Sequence, residues 1–432
     1  MAGVPVYRGS FGPAEAERLL WRAGFGPRKG EAGRLAKKGL QGAVRSLTRP
    51  GSEKLTGTEP VDERGNPLAP FDAAGHDHMW WLDRMVRSSN QLVERMTLIW
   101  HDWFATARVG GGSQKLMLDQ NGLFRRNALG SFATLAEEIT KDPAMLLWLN
   151  GNKNTRLSPN ENYARELMEL FTLGVNRGYT EQDIREQARA LTGWRNRRAA
   201  GVGAYDFRYE PRLHDEGAKT VFGKTGNFGW QEAVQLCLEN RNHPTFFVRK
   251  LWSYFVPNAP PAKTQAALEA IYRNRYTIRP VVEAILMHPA FYNGPRMVKP
   301  PVVYTAGLLR AAGRGVAGAN WARLDVGAGQ RLFYPPNVAG WDDNRWLDTS
   351  TFRGRWFLAA AALNGTSGTG APKSAAALVD RAASTLGVRS LTKPTRTVAL
   401  RLARDALRTN PPDVVEQAVR QLLALSPEVQ TS

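Results

Sequence analysis

Apolar residues recur every three or four positions in one segment after another of this chain, and no other feature constrains its fold as strongly. This interval places them on one face of an α-helix. No alternation of strands and helices is present, so a doubly wound sheet is not expected. The sequence therefore predicts a mainly α, multi-helix globular domain, with helices over residues 14–24, 79–86, 92–105, 115–129, 132–140, 144–149, 232–238, 246–255, 264–272, 280–287, 302–312 and 352–363.

β signals are few. The best is a small hairpin excursion in which residues 205–209 face residues 219–222. A Gly/Ser-rich stretch at 365–374 is typical of a linker, and three amphipathic segments follow it. We therefore predict a main helical domain over 1–364, a linker over 365–374 and a C-terminal helical subdomain over 375–432, with helices at 375–386, 396–408 and 414–425.

The charge balance is unusual. Lys and Arg number 58 against 39 Asp and Glu, which gives a net charge of +19. Such a surface favours a polyanionic partner, and the alternative is a generally basic surface with no dedicated partner. Hydrophobic residues make up 43% of the chain, enough for a core, so a wholly disordered protein is excluded. No apolar run is long enough to span a bilayer, and no export signal is readable, which predicts a cytoplasmic protein.

The single cysteine and the common catalytic motifs give little. Cys237 excludes an intrachain disulfide and fits a buried, inert thiol. Residues 217–225 contain Gly-Lys-Thr but have Ala218 where a phosphate loop needs glycine. No serine-hydrolase elbow, zinc-protease motif or dinucleotide fingerprint is present. His76 and His78 could hold a metal only with a third ligand, which is not nearby. We predict no metal and no cofactor.

One polar segment has clear helix signals at both ends. In Ser-Pro-Asn-Glu over residues 158–161, we predict that Ser158 caps the helix and Glu161 completes a capping box. Gly174 should end this helix. The next helix begins in the same way, with Thr180 and Asp183, and runs to Leu191.

This segment carries a resemblance. The run Asn-Glu-Asn-Tyr-Ala-Arg-Glu-Leu-Met-Glu-Leu-Phe-Thr-Leu-Gly at 160–174 resembles a bacterial family catalogued as domain of unknown function eighteen-hundred. Further matches lie at 22–27, 120–126, 179–183, 188–194, 249–252, 335–341 and 425–430, so the resemblance covers nearly the whole chain.

The resemblance implies a mostly helical protein, often exported, and frequently encoded beside a sulfatase-like or phosphatase-like protein. It implies no established activity. Family members often have His-x-His at positions 101 to 103, whereas this chain has His101 followed by Trp103. The resemblance therefore does not imply a metal site that uses two imidazoles at these positions.

Three sets of side chains are candidates for catalysis. We call the helix predicted between Ser158 and Gly174 the motif helix. On it, Glu166 with a second acid such as Glu169 could perform acid–base chemistry on a glycosidic bond. The alternative is an ordinary ion-pair ladder of Glu161, Arg165 and Glu169 at four-residue spacing. Elsewhere, His101 could be a base or a satisfied core histidine. His214 and Asp215 lie in a polar loop, where catalytic groups often concentrate, although a solvated surface loop is the alternative.

The predicted substrate-binding residues surround these groups in the sequence. Tryptophans on a Pro/Gly-rich loop, including Trp346, suit stacking on sugar rings or nucleobases, or else fix the loop to the helices. The set is Asn160, Asn162, Arg165, Trp194, Lys219, Asn337 and Trp341.

The hypothesis favoured by the sequence is a hydrolase or lyase that acts on a cell-envelope or extracellular glycan, which could be anionic. A second is a non-catalytic accessory or scaffold protein that partners the sulfatase-like neighbour. A third, based on charge alone, is a nucleic-acid-binding protein.

Overall fold

The computed structural model describes residues 3–108, 113–200, 203–366 and 370–432. It is mainly helical, as predicted, and every helix predicted from periodicity is present. The chain divides into two compact units built from non-contiguous segments. The first unit contains the described parts of Met1–Val6, Met96–His288 and Phe333–Trp341. The second contains those of Tyr7–Arg95, Pro289–Leu332 and Asp342–Ser432.

Ten α-helices of the described residues lie wholly or partly in the first unit. Its core is aromatic: Trp100, Trp103, Phe104 and Phe132 are fully buried, and the rings of Phe247 and Tyr272 stack with centroids 3.8 Å apart. The helices are α5 (Gln91–Trp103), which enters this unit at Met96, α6 (Gln114–Arg126), α7 (Phe132–Thr140), α8 (Pro143–Trp148), α9 (Asn162–Glu166), α10 (Glu181–Ala190), α11 (Trp230–Glu239), α12 (His243–Ser253), α13 (Ala262–Arg273) and α14 (Ile278–Met287).

The predicted start of the motif helix was wrong. The helix α9 begins at Asn162, and Ser158 instead pairs with Thr155 in an isolated β-bridge. The N–H of Asn162 donates to the Asn160 side chain at 3.1 Å. Directly after α9 the chain widens into a π-helical segment, Leu167–Thr172. The prediction for the end was correct, because Gly174 has φ +94° and donates its N–H to the Met168 carbonyl.

The second capping box is confirmed, since Thr180 and Asp183 bond each other's backbone N–H at the start of α10. The predicted pairing of strands was wrong. Strand β2 (Gly203–Tyr209) pairs with β1 (Trp194–Ala199), and β3 (Lys219–Val221) pairs with β4 (Lys224–Gly226). Phe222 and Gly223 between β3 and β4 both have positive φ, which suits a tight two-residue hairpin turn.

The second unit is also helical. Lys299 is buried beneath the Trp21 ring, with its Nζ 3.4 Å from the ring centroid, and Arg355 is fully buried. The helices are α1 (Pro13–Arg22), α2 (Glu31–Ala36), α3 (Gly39–Thr48), α4 (His76–Arg87), α15 (Pro289–Asn293), α16 (Pro301–Ala312), α17 (Trp321–Gly327), α18 (Thr349–Leu363), α19 (Ala375–Thr385), α20 (Lys393–Ala406), α21 (Pro412–Ala424) and α22 (Pro427–Gln430).

The three predicted C-terminal helices are α19, α20 and α21. They pack on one another, and α21 also packs on α18. Part of the predicted linker, residues 367–369, lies outside the described residues, and the boundary at 365–374 stays a prediction. Among the described helices, none has the length and apolar character needed to cross a membrane.

Candidate functional site

The motif helix is held at its C-terminal end by three side-chain donors. The last carbonyls of a helix have no partner within it and need other donors. Trp103 Nε1 donates to the Phe171 carbonyl at 3.0 Å, and Lys250 Nζ donates to the Leu170 carbonyl at 2.9 Å. His243 Nδ1 donates to the Thr172 carbonyl at 2.9 Å. Trp103 therefore helps to fix the motif helix.

Burial changes the acidity of two of these donors. His243 is fully buried, which lowers its pKa to about 4, and its Nε2 accepts the Tyr272 hydroxyl at 2.7 Å. Burial also lowers the pKa of Lys250 to about 8, although the charge of Asp102 opposes this. The Lys250 ammonium lies over the Trp103 ring, 4.6 Å from its centroid. Both groups hold the helix in place.

Arg165 forms the ion-pair ladder that the sequence offered as the alternative to a site. It pairs with Glu161 at 3.2 Å and Glu169 at 3.4 Å on its own helical segment, and with Glu181 of α10 at 2.8 Å. These carboxylates raise its pKa. Arg165 therefore joins α9 to α10. Asn160 also has a local role, because its N–H donates to the Asn154 side chain at 2.8 Å.

Glu166 differs from the other acids of the motif. Its side chain is half-buried, and within the described residues its carboxylate makes no hydrogen bond and no ion pair. Burial raises its pKa, and the nearby charge of Glu169 raises it further. The exposed Asn162 lies one turn earlier on the helix. In the described part of the chain Glu166 therefore has no hydrogen-bonding or ion-pairing partner, although the charge of Arg165 opposes the rise in its pKa, and its role in a site stays a prediction.

His101 is a buried residue that fixes a loop. Its Nε2 accepts the Phe333 backbone N–H at 3.1 Å, and its ring contacts Phe124, Phe333 and Trp341. Burial lowers its pKa to about 3, so the imidazole is neutral. This geometry matches the satisfied core histidine that the sequence offered as an alternative.

Asp102 holds the other end of the same loop. One carboxylate oxygen accepts the Trp341 backbone N–H at 2.9 Å, and the other accepts the Tyr254 hydroxyl at 2.6 Å. Gly340 has φ +91°, and a Cβ on it would lie 2.3 Å from Asp102 Oδ1. Asn337 is exposed and bonds the N–H of Ala339. Successive residues of α5 therefore clamp both ends of the loop Phe333–Trp341.

The loop tryptophans are less exposed than the stacking hypothesis required. Trp341 is half-buried against His101, and Trp346, which belongs to the second unit, is buried at 8% exposure. The structure therefore brings Trp341, His101 and Asp102 together, but as the support of a loop.

A second group of predicted residues meets around His214, and we call Thr192, Trp194, Tyr209, His214 and Trp230 the His214 site. His214 Nδ1 lies 3.0 Å from the Thr192 carbonyl, which can only accept, so Nδ1 carries the proton. Among the described residues no hydrogen bond reaches Nε2. Burial is the largest cause that lowers the pKa of His214, so the neutral form dominates near pH 7. A half-buried imidazole with a proton-free Nε2 has the form of a general base.

Three aromatic rings follow one another from the side of this imidazole. Trp194 and Tyr209 are opposite each other on β1 and β2, with ring centroids 5.5 Å apart, and Trp230 lies 5.7 Å from Trp194. Tyr209 lies 5.9 Å from His214. All three rings are half-buried. A Cβ at Gly193 would lie 2.6 Å from the Tyr209 ring, so the close approach of this ring requires glycine.

Two further features of the His214 site favour a ligand. Trp194 Nε1 is buried and has no hydrogen-bond partner in the described part of the chain, which is costly unless a bound group satisfies it. The exposed Lys141 ammonium lies 5.6 Å from the Trp230 ring centroid and supplies a positive charge at the edge of the site.

Asp215 and Lys219 hold the backbone next to His214 in place. Asp215 pairs with Arg189 through two bonds of 2.7 and 3.1 Å, which lower its pKa. The Asp215 N–H donates to the Thr192 hydroxyl at 2.8 Å. Buried Lys219 donates to the Asp215 carbonyl and, at 3.2 Å, to Asn227. These contacts fix the backbone on both sides of His214.

Sequence reasoning missed Tyr209, Trp230 and Lys141. Tyr209 was inside a predicted strand, but its partner strand was not recognised, and Trp230 and Lys141 are separated from it in sequence. Among the described residues, no group of three or more histidine, cysteine or acidic side chains is arranged to hold a metal ion. His76 accepts the Ala69 N–H, whereas His78 pairs with buried Asp325.

Comparison with known proteins identifies the family. A family model described as "Protein of unknown function (DUF1800)" matches residues 18–431. The chain belongs to this family. The DUF1800 match contains the motif helix, the loop clamped by α5 and every residue of the His214 site. No curated protein and no solved structure matches the chain.

Proposed function

We propose that this protein is a lyase that binds an acidic glycan at the His214 site and cleaves it by β-elimination. The observation that carries the proposal is His214 itself, with Nδ1 bound to the Thr192 carbonyl and Nε2 free of any partner in the described residues. This arrangement leaves a neutral base beside the half-buried Tyr209 ring, which in turn contacts Trp194, and Trp194 contacts Trp230.

The proposed reaction begins with a uronic acid unit. His214 Nε2 takes the proton from the carbon next to the carboxylate. The electron pair of that C–H bond forms a carbon–carbon double bond. The C–O bond to the neighbouring sugar then breaks, its electrons remain on the leaving oxygen, and solvent protonates that oxygen. The products are an unsaturated uronate and a shortened chain.

Binding and charge stabilisation come from the neighbouring residues. Trp194 and Trp230 present aromatic faces and edges that suit the apolar side of a sugar ring. Trp194 Nε1 supplies a hydrogen-bond donor that the described protein does not use. Lys141 supplies the positive charge that stabilises a carboxylate as negative charge develops beside it.

A lyase fits these residues better than a hydrolase does. Glycoside hydrolysis normally needs two carboxyl groups on either side of the bond, one of them free to donate a proton. Asp215 is committed to Arg189, and Glu166 and Glu169 lie one turn apart on the same helical segment. Elimination needs a base and a cation near the carboxylate, and the proposal assigns these roles to His214 and to Lys141 beside the Trp230 ring.

A non-catalytic glycan-binding role is the second candidate. The aromatic rings and Lys141 favour it, because they would serve binding whether or not His214 removes a proton. The scaffold role beside a sulfatase-like partner and the nucleic-acid role stay hypotheses from the sequence, without a specific contact in their favour.

The test uses polygalacturonate, alginate and hyaluronan as substrates, with a neutral glucan as the control substrate. Elimination creates a conjugated double bond that absorbs ultraviolet light, whereas hydrolysis does not. We expect absorbance to grow with an acidic glycan and His214→Gln to abolish the growth. His76→Gln is the matched control, because His76 is also half-buried but accepts only a local N–H from Ala69. Binding of a glycan without new absorbance would reject the lyase and favour the second candidate.

A further inference from the structure

The second unit contains two adjoining cavities that the His214 site does not involve. The first has a volume of about 610 Å³ and lies between the α1–α2 connection and the region where α19 leads into α20. The other has a volume of about 530 Å³. Arg28, Lys29 and Ala311 line both. Each volume falls in the range of pockets that hold small molecules.

The lining of the two cavities is strongly basic. The second cavity has no acidic residue among the described residues that line it, and it carries Arg28, Lys29, Arg34, Arg87, Arg310 and Arg314. The first adds Arg389 and Arg396 to the shared pair, with Glu17 and Asp380 as its acids. The two cavities together therefore present eight basic side chains against two acidic ones.

Arg87 pairs with Asp83 and Arg310 with Glu31, but several of the other cations have no acidic partner among the described residues. Lys29 and Arg34 are exposed, and they make no hydrogen bond or ion pair in the described parts of the chain. Arg28 donates to the carbonyls of Val86 and Arg87 at 2.8 and 3.0 Å, and Arg314 donates to three carbonyls. Carbonyl partners orient a guanidinium but leave its positive charge in place.

The acids of the first cavity compensate only in part. Asp380 pairs with Arg396 at 2.6 Å, and Glu17 lies 3.6 Å from Arg389. Burial raises the pKa of Glu17 to about 7, against the opposing charges of Lys299, Arg389 and Arg296, so this carboxyl is partly protonated near neutral pH. The positive charge at the shared wall is therefore in excess.

We propose that these adjoining cavities form a binding site for an acidic oligosaccharide, with anionic groups held at the wall of Arg28 and Lys29. Hydroxyl groups of Ser384, Thr385 and Ser390 in one cavity, and of Thr56 and Thr58 in the other, suit sugar hydroxyls. Among the described lining residues of either cavity there is no aromatic side chain on which a nucleobase could stack, so an oligonucleotide is disfavoured. This site does not depend on the reaction proposed for His214.

The test is calorimetric titration of the full chain with hexagalacturonate, a sulfated maltohexaose and linear polyphosphate of matched charge. We expect the oligosaccharides to bind with an affinity that falls as salt rises. Lys29→Glu/Arg34→Glu should weaken this binding about tenfold or more, since the change reverses two uncompensated charges. Lys373→Glu/Arg404→Glu is the control with the same change in net charge, at exposed residues that do not line either cavity.

Each outcome of the titration either supports or overturns the proposed site. Equal loss in the two double variants would show a general charge effect and overturn the site. Binding of polyphosphate without binding of either oligosaccharide would overturn the ligand class, and absence of all binding would overturn the proposal.

The His214 site can be tested separately, because His214→Gln should leave binding at the cavities unchanged. Oligosaccharide binding that Lys29→Glu/Arg34→Glu weakens, without elimination, would reject the proposed lyase and keep this site. Elimination together with oligosaccharide binding that Lys29→Glu/Arg34→Glu does not change would do the reverse. Circular dichroism melts of both double variants check that they fold.

Discussion

Gly340 lies so close to Asp102 that a Cβ on the glycine would be 2.3 Å from the carboxylate oxygen Oδ1. Gly340 also has φ +91°, a backbone angle that residues with a side chain rarely adopt. We expect Gly340→Ala to lower the free energy of unfolding by at least about 3 kcal/mol, because backbone strain adds to the loss of the Asp102–Trp341 bond. Denaturant unfolding monitored by fluorescence measures the change.

Gly365→Ala is the control for this substitution. Gly365 has φ +69° but no neighbouring atom within 4 Å of its would-be Cβ, so only the strain of positive φ remains. We expect it to cost about 1 kcal/mol. Equal effects of the two changes would mean that the close approach to Asp102 contributes nothing.

The lyase proposal predicts the acidic limb of the pH profile. His214 must be neutral to accept a proton, and burial lowers its pKa below the usual value of about 6.5. Activity should therefore rise with pH through an apparent pKa below that value and then level off. His214→Gln should reduce kcat about 10²-fold or more without a change in melting temperature. An acidic limb centred above the usual histidine pKa would contradict this assignment.

Replacement by glutamine should change the melting temperature in opposite directions at Glu166 and at Glu161. The pKa of Glu166 is raised in the folded state, so ionisation above the unfolded pKa of 4.5 costs stability. We expect Glu166→Gln to raise the melting temperature modestly at pH 7 and to have no effect below both pKa values. Glu161→Gln removes an ion pair with Arg165 and should lower the melting temperature slightly. Thermal melts at both pH values check this, and a fall for Glu166→Gln at pH 7 would reveal a structural partner.

Lys250 should make stability increase with alkaline pH. Its pKa is about 8 in the folded protein against 10.5 when unfolded, so the unfolded chain holds more protons between these values. Stability conferred by this group therefore rises from about pH 8 to 10.5. Lys250→Met should remove that slope and also lower stability at pH 7, because the Leu170 carbonyl loses its donor. Denaturant unfolding of both proteins at pH 7, 9 and 10 measures the difference, and parallel curves would refute it.

Helix positions were predictable because each helix buries one apolar face in a core. The apolar residues of that face recur every three or four positions, and this spacing can be seen within a single segment of the sequence. The boundary of the motif helix was not, because Ser158, Pro159 and Glu161 satisfy the rules of a cap while the backbone uses Asn160 instead. The strand β1 was missed since it contains Asn196 and Ala199, residue types that are depleted in strands, and its pairing with β2 decides its conformation.

Which candidate residues lie close together could be predicted only where they are near in sequence. His214, Asp215 and Lys219 are near in sequence, and their common loop placed them together correctly. Trp230 and Lys141 reach Trp194 only through the tertiary fold, so no sequence spacing could indicate them. For His101, the sequence could not reveal that a backbone N–H more than two hundred residues away would occupy its Nε2.

The π-helical segment Leu167–Thr172 has a consequence for the whole motif. A π turn holds one more residue than an α turn, so side chains before it are rotated by about 100° relative to those after it, compared with a regular helix. The widened segment therefore sets the direction of Glu166 independently of the buried face of Phe171. Removing one residue there would still allow a continuous helix, but it would turn the acidic face of the motif while Trp103, Lys250 and His243 held the other end.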